Sequence, residues 1–327
     1  MQRRHFLQFA AAAAAAPALS RTAFALDYPT RPVSIIVPFT PAGGTDILAR
    51  LVGRGLEQRL GQTFPVANRP GAGTQIGANE LAHAEPDGYT LMVAPSTTMA
   101  VNVTLYKKLT YDPRTDFTPL GLLARLPFVL IVNPSVPAHS VTELIALAKS
   151  KPGELSYGSG GVGAAHHLCG ALLCSMTGIT MTHVPYKGSV PALTDVVAGS
   201  IPLMFCDFAP ALGMISSGKV RALGVTTAQR VAVAPDIPTI AEAGVPGFEV
   251  DPWQMILTRA GVPDAIVDRL NAEVKGIMTA GDTPQQLIKM GMVPADIGTP
   301  ASLKRFVESE IERWAKIVRI AGVAGYV

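Results

Sequence analysis

Gly158, Gly160 and Gly163 match G-x-G-x-x-G, the turn in which dinucleotide enzymes cradle a pyrophosphate. The rest of such a site is missing. The strand before these glycines is short, and no acidic residue near position 183 waits for a ribose hydroxyl, the first downstream being Asp195. A hydrolase would need an activated nucleophile. Ser159 lies in Tyr157-Gly158-Ser159-Gly160-Gly161, which lacks the glycine two residues before the serine of a nucleophile elbow, and no triad assembles by spacing. His166 and His167 are neighbours on an expected helix, about 100° apart around its axis, and so do not chelate one metal as an i, i+4 pair would. No catalytic residue, cofactor or metal is therefore expected.

What remains is chemistry of binding, carried by backbone amides. Val33, Ile35, Ile36, Val37 and Phe39 form a short apolar run of buried-strand type, broken by Pro38, Pro41, Gly43 and Gly44. A helix follows at once, with Thr45 or Asp46 as N-cap and Ile47, Leu48, Leu51, Val52, Leu56 and Leu60 on one face. This leaves amides around Gly43 to Ile47 without intrahelical partners above the strand's carboxyl end, a place that favours an anion. The residues expected to touch a ligand here are Phe39, Thr40, Ala42, Gly43, Gly44, Thr45 and Asp46. The same strand, glycine loop and helix recur about 120 residues later, as a short strand to Tyr157, the loop Gly158-Ser159-Gly160-Gly161-Val162-Gly163, and a helix from Ala164. Ser159, Gly160, Gly161, Gly163 and Ala164 join the candidate site, with His167 in the first turn of that helix. Ser96 and Thr97 follow a third strand, while Tyr186, Lys187 and Asp207 end later strands on the same side.

Strands and helices alternate throughout, which predicts an α/β protein of mostly parallel sheets with helices on both faces. At 327 residues the chain suits two lobes across a cleft, with residues 26–126 and 251–327 in one and 127–250 in the other. Expected strands include residues 64–68, 89–94, 128–132, 155–157, 181–185, 203–205 and 220–225, and residues 105–117 are expected to be a polar connection. Helices over residues 264–279, 284–290 and 301–320 close the chain as packing elements.

The first 25 residues stand apart: Arg3-Arg4-His5-Phe6-Leu7, an alanine-rich stretch and Ala23-Phe24-Ala25 form a twin-arginine leader with an A-x-A cleavage site. Removing Arg3, Arg4 and Arg21 from 27 basic residues leaves 24 against 24 acidic ones, so the expected mature chain is formally neutral. No basic patch interleaved with aromatics suggests nucleic acid, and no mature segment offers the roughly 18 apolar residues of a membrane span. Cys169 and Cys174 sit five apart on an expected helix, too far to bond each other; Cys206 could pair with either, and free, buried thiols are the expectation. Export to the periplasm as a soluble protein is the expectation.

Along the mature chain run, in order, Val37-Pro38-Phe39-Thr40-Pro41-Ala42-Gly43-Gly44-Thr45-Asp46, Asn68-Arg69-Pro70-Gly71-Ala72-Gly73, Pro86-Asp87-Gly88-Tyr89-Thr90-Leu91, Tyr106-Lys107-Lys108-Leu109, Tyr111-Asp112-Pro113, Asp116-Phe117, His183-Val184-Pro185-Tyr186-Lys187-Gly188, Pro238-Thr239 and Glu242-Ala243-Gly244. Together these motifs resemble the Bug family of periplasmic solute receptors, the TctC-like binding components of tripartite tricarboxylate transporters. The resemblance implies a periplasmic-binding-protein-like clamshell whose lobes close on a small carboxylate, aliphatic or aromatic, held by amides and ordered water in loops 39–46 and 159–164. It also implies a monomer without catalysis that serves a membrane transporter or a sensor ectodomain. Ala164 and Val162 depart from the more polar residues common in the family, which removes hydroxyl contacts there and leaves the amides. The rival class is an exported enzyme, a hydrolase or nucleotide-dependent oxidoreductase, using the same cleft. A receptor returns its ligand unchanged and an enzyme does not.

Overall fold

The computed structural model describes residues 27–325; the expected leader lies outside them. In chain order the elements are β1 (Ser34–Val37), α1 (Gly44–Leu60), β2 (Val66–Asn68), α2 (Gln75–Ala82), β3 (Thr90–Pro95), a wide helical turn (Thr97–Val101) running into α3 (Asn102–Leu105), β4 (Phe117–Arg125) and β5 (Phe128–Val132). There follow α4 (Val141–Ser150), β6 (Ser156–Ser159), α5 (Ala165–Thr177), β7 (Thr182–Pro185), α6 (Ser189–Ala198), β8 (Leu203–Asp207), α7 (Phe208–Ser216) and β9 (Arg221–Val225). The chain ends with β10 (Trp253–Arg259), α8 (Asp264–Thr279), α9 (Thr283–Lys289), β11 (Val293–Pro294) and α10 (Pro300–Ile320).

Two sheets result, one of order β11-β4-β10-β3-β1-β2 and one of order β7-β6-β8-β5-β9, giving the two-lobed α/β fold. Parallel pairing is confined to β1 with β2 and β3, and to β6 with β7 and β8. The strands on either side of the lobe crossings, β4, β5 and β10, pair antiparallel, so the sheets are mixed and not mostly parallel. The crossings run side by side: Leu126 donates its amide to Pro252 O at 2.8 Å. Beside them Arg125 pairs with Asp251 at 2.5 Å.

Three elements differ from expectation for identifiable reasons. β4 carries Pro119 and Gly121, which argue against a strand, yet bulges against β10 absorb them and β11 pairs only with Arg125 and Ala124, leaving the Pro119 edge free of a ladder. Residues 97–105, where no helix is expected, are helical and wholly or largely buried. α7 forms despite Pro210, which lies in the first turn where a missing N–H costs nothing. The cap of α1 also differs: Gly43 is the N-cap, and neither Thr45 nor Asp46 caps the helix. Leu48, Ala49, Val52 and Leu56 make its buried face, and Gly61 ends it in the left-handed conformation, donating to Glu57 O at 2.9 Å.

One hydrophobic cluster runs through both lobes, from Ile36 and Met92 through Trp253 and Trp314 to Leu130, Phe205 and Leu168. Among the described residues no helix is long and apolar enough to cross a membrane, and Cys169, Cys174 and Cys206 are free thiols.

Candidate binding cleft

Four helices begin where the lobes meet: α1 at Gly44, α5 at Ala165, α6 at Ser189 and α7 after Asp207. None is capped by the side chain of its own N-cap residue, and the Gly44 amide is instead met by Asp207 from the other lobe. The space between the lobes has two compartments. The inner one, about 20 Å³, has room for about one water. Its walls are Phe39, Thr40, Gly43, Gly44, Thr45, Pro95, Ser96, Thr97, Phe128, Ala165, His166, Ser189, Asp207, Pro252 and Gln254. The outer one, about 450 Å³, is lined by Pro38, Phe39, residues 71–74, Tyr106, Gly160, Gly161, Val162, Pro185, Tyr186 and Lys187. Phe39 belongs to both.

Asp207 is the centre of the inner wall. Its Oδ1 lies 3.2 Å from His166 Nε2, and its Oδ2 accepts from the Ser189 hydroxyl and, across the lobes, from the Gly44 amide at 3.4 Å. Burial alone would raise this carboxyl, but the His166 imidazole, Ser189 and Gly44 hold it below the ordinary carboxylate value. His166 in turn stacks on Phe128, ring centroids 4.1 Å apart. Thr40 Oγ1, Ser96 Oγ, Gln254 Oε1 and His166 Nδ1 are buried on this wall without a hydrogen-bond partner among the described residues.

The candidate residues divide by place. Phe39, Thr40, Gly43, Gly44, Thr45, Ser96, Thr97 and Asp207 line the inner compartment, and Gly160, Gly161, Tyr186 and Lys187 the outer. The others line neither compartment. Asp46 is buried and accepts from the Ala42 amide at 3.0 Å, from Arg50 and from Asn68, so its carboxylate shapes the β1–α1 loop. Ala42 itself sits at φ 68, a left-handed conformation that this bond helps to hold. Ser159 is fully buried, 2.6 Å from His183 Nε2 and bonded to Gly161. Gly163 donates to His167 Nδ1 at 3.2 Å, and Ala164 is the buried N-cap of α5. His167 stacks on His183 at 3.9 Å, so His166, not His167, is the histidine on the inner wall.

Sequence reasoning missed His166, Ser189, Phe128 and Gln254. Gln254 had a signal, since a glutamine between Trp253 and Met255 interrupts a buried strand. The 71–74 loop had one too, in the glycines that permit its turn; Ala72 and Thr74 also adopt positive φ there.

Burial drives His167 down to about 4 and, helped by the charge of His167, His183 down to about 3, from 6.5. Both stay neutral in the fold, while in the unfolded chain they protonate as pH falls through 6.5. Their contribution is therefore complete above pH 6.5 and lost progressively toward pH 4 and below. Thermal melts from about pH 7 to about pH 4.5 are expected to show a falling midpoint, with a shallower fall in His183→Gln. Equal slopes for the two proteins would remove the histidine pair as the cause.

Comparison with known proteins identifies the architecture. The profile described as "Tripartite tricarboxylate transporter family receptor" matches residues 48–323. A twin-arginine translocation signal matches residues 1–20. Protein BugT of Bordetella pertussis is 35% identical over 296 residues, 90% of each chain. A UPF0065 protein from the tcbD-tcbE intergenic region of Pseudomonas sp. is 39% identical over 292 residues, 89% of this chain and 86% of that one. Among solved structures, R. palustris Rpa4515 with adipate superposes with a TM-score of 0.88 at 40% identity, covering 91% of this chain and 99% of its own. MatC from Rhodopseudomonas palustris with bound malate gives 0.83 at 34% identity, covering 89% of this chain and 100% of its own. This chain belongs to the tripartite tricarboxylate transporter receptor family, and it is a periplasmic solute-binding receptor exported by the twin-arginine route.

Proposed function

We propose that the protein captures one small carboxylate between its lobes and presents it to a membrane transporter or a sensor ectodomain, as a monomer and without catalysis. The observation that carries this reading is the meeting of two glycine loops, β1–α1 and β6–α5, across one cleft. The amides of Thr45, Gly160 and Val162 donate to no protein acceptor among the described residues. Such amides at helix starts recognise an anion without any titratable group. Relatives solved with adipate and malate support the carboxylate class. The lobes we assign to residues 26–126 with 251–327 and to 127–250, hinged at the paired crossings.

The enzymatic alternative would rest on the Ser159–His183 contact. Ser159 is buried and lines neither compartment, and its hydroxyl already accepts from the Gly161 amide at 3.0 Å, so it supports the loop.

A thermal-shift screen of mono-, di- and aromatic carboxylates tests the reading. Ligand at 100 times its dissociation constant adds about 2.7 kcal/mol, a shift of several degrees. Small-angle scattering with the best ligand is expected to show compaction, and mass spectrometry to recover it unchanged. Absence of any shift, or conversion of the ligand, would defeat the proposal.

A further inference from the structure

The place where a ligand anion would meet the start of α1 is already taken. Asp207, from the opposite lobe, reaches the Gly44 amide and also accepts from Ser189. Whatever positive charge His166 carries is matched by this carboxylate, to which it is bonded at 3.2 Å. No lysine or arginine lines the inner compartment. Among the described residues its unpartnered atoms are Thr40 Oγ1, Ser96 Oγ, Gln254 Oε1 and His166 Nδ1, and the three oxygens can each accept a hydrogen bond. Lys187 stands on the outer compartment, exposed and without an ion pair among the described residues. The open amides of Gly160 and Val162 are on that side as well. The cleft therefore holds its resident anion, Asp207, inside and its lysine outside, with open amides on both sides, Thr45 within and Gly160 and Val162 without.

We infer that Asp207 excludes a second carboxylate from the inner compartment, so that this receptor selects monocarboxylates whose far end carries a hydrogen-bond donor, a hydroxyl or an ammonium. The ligand's carboxylate lies toward Gly160, Val162 and Lys187. Its donor end enters the inner compartment, where it meets Asp207 and the oxygens of Ser96 and Gln254. A dicarboxylate entering the same way would bring like charges close together in a water-poor site, where their repulsion is strong. The inference rests on the carboxylate reading above and sharpens its ligand class.

The test is calorimetric titration of the wild-type protein and Asp207→Asn with matched sets of diacid, ω-hydroxy acid and ω-amino acid, from succinate to adipate in chain length. Wild type is expected to bind a hydroxy or amino acid at least about tenfold tighter than the diacid of equal length. In Asp207→Asn, verified as folded by circular dichroism, the ratio is expected to move at least about tenfold toward the diacid. A wild-type protein that binds the diacid equally well or better overturns the inference by itself, even if the variant does not fold. An unchanged ratio in a folded variant overturns it too. Binding of diacids alone leaves the carboxylate receptor standing without this selectivity, whereas failure of every probe removes both readings.

Discussion

Gly188→Leu is expected to abolish ligand binding while both lobes remain folded. Gly188 precedes α6 with φ 164 and ψ 171, extended backbone that any residue adopts, so the substitution brings no conformational strain. The obstacle is across the cleft. A Cβ at this position would collide with Thr40 Oγ1 and lie 3.3 Å from both Thr40 Cβ and the Thr40 backbone nitrogen. Here the lobes touch, since the Thr40 amide donates to Lys187 O at 3.3 Å. The Thr40 hydroxyl has no partner to hold it and can rotate from an alanine methyl, but the backbone behind it cannot retreat from a leucine without reopening the cleft. Closure then becomes the minor state, and apparent affinity falls with its population. We expect a loss of about 100-fold or more, or roughly 2.7 kcal/mol, for leucine and a smaller loss for Gly188→Ala. Titration calorimetry measures this, and scattering should find the leucine variant uncompacted at saturating ligand. Wild-type affinity in Gly188→Leu would mean that ligand binds to a different arrangement of the lobes.

That wedge depends on a contact no sequence pattern announces, and the same division runs through the rest of the molecule. The β1–α1 unit was legible because its signals are local: an apolar run, paired glycines, then apolar residues at helical spacing. α10 was legible for the same reason, since Leu303, Val307, Ile311, Trp314 and Val318 repeat on one face. β4 was not, because Pro119 and Gly121 are tolerated only through bulges against a strand more than 130 residues away in the chain. In the site, glycine loops with open amides could be read as binding elements. The role of Asp207 could not, because its partners His166, Ser189 and Gly44 come from three elements and both lobes. His166 and His167 illustrate the limit: adjacent on one helix, they face different surroundings, and only packing against Phe128 and His183 decides which one reaches the cavity.

Glu310→Ala is expected to cause a large loss of stability. Glu310 is 6% exposed, and its Oε2 accepts from Trp253 Nε1 at 2.6 Å and from Trp314 Nε1 at 3.0 Å. Both indoles are fully buried, so removing the carboxyl strands two donors that water cannot reach. Arg313 loses its 3.4 Å contact to Oε1 and keeps Glu249 at 2.9 Å. Each stranded donor costs about 1–3 kcal/mol, and with the cavity left behind a total of about 3–5 kcal/mol follows. For a protein of this size the melting midpoint should fall by roughly 6–15 °C. Glu310→Gln keeps an acceptor for the indoles and should recover more than half of that loss. The effect is also expected to reach the ligand. Trp253 and Gln254 are consecutive residues of β10, so their side chains leave opposite faces of the strand. One is fixed to α10 through Glu310 and the other stands on the inner cavity wall. Loosening the first should let the second wander, weakening affinity by about three- to tenfold at temperatures well below the melt. Calorimetry on Glu310→Ala and Glu310→Gln reads both effects; a variant that melts early yet binds like wild type would confine Glu310 to stability and leave Gln254 positioned by its sheet neighbours alone.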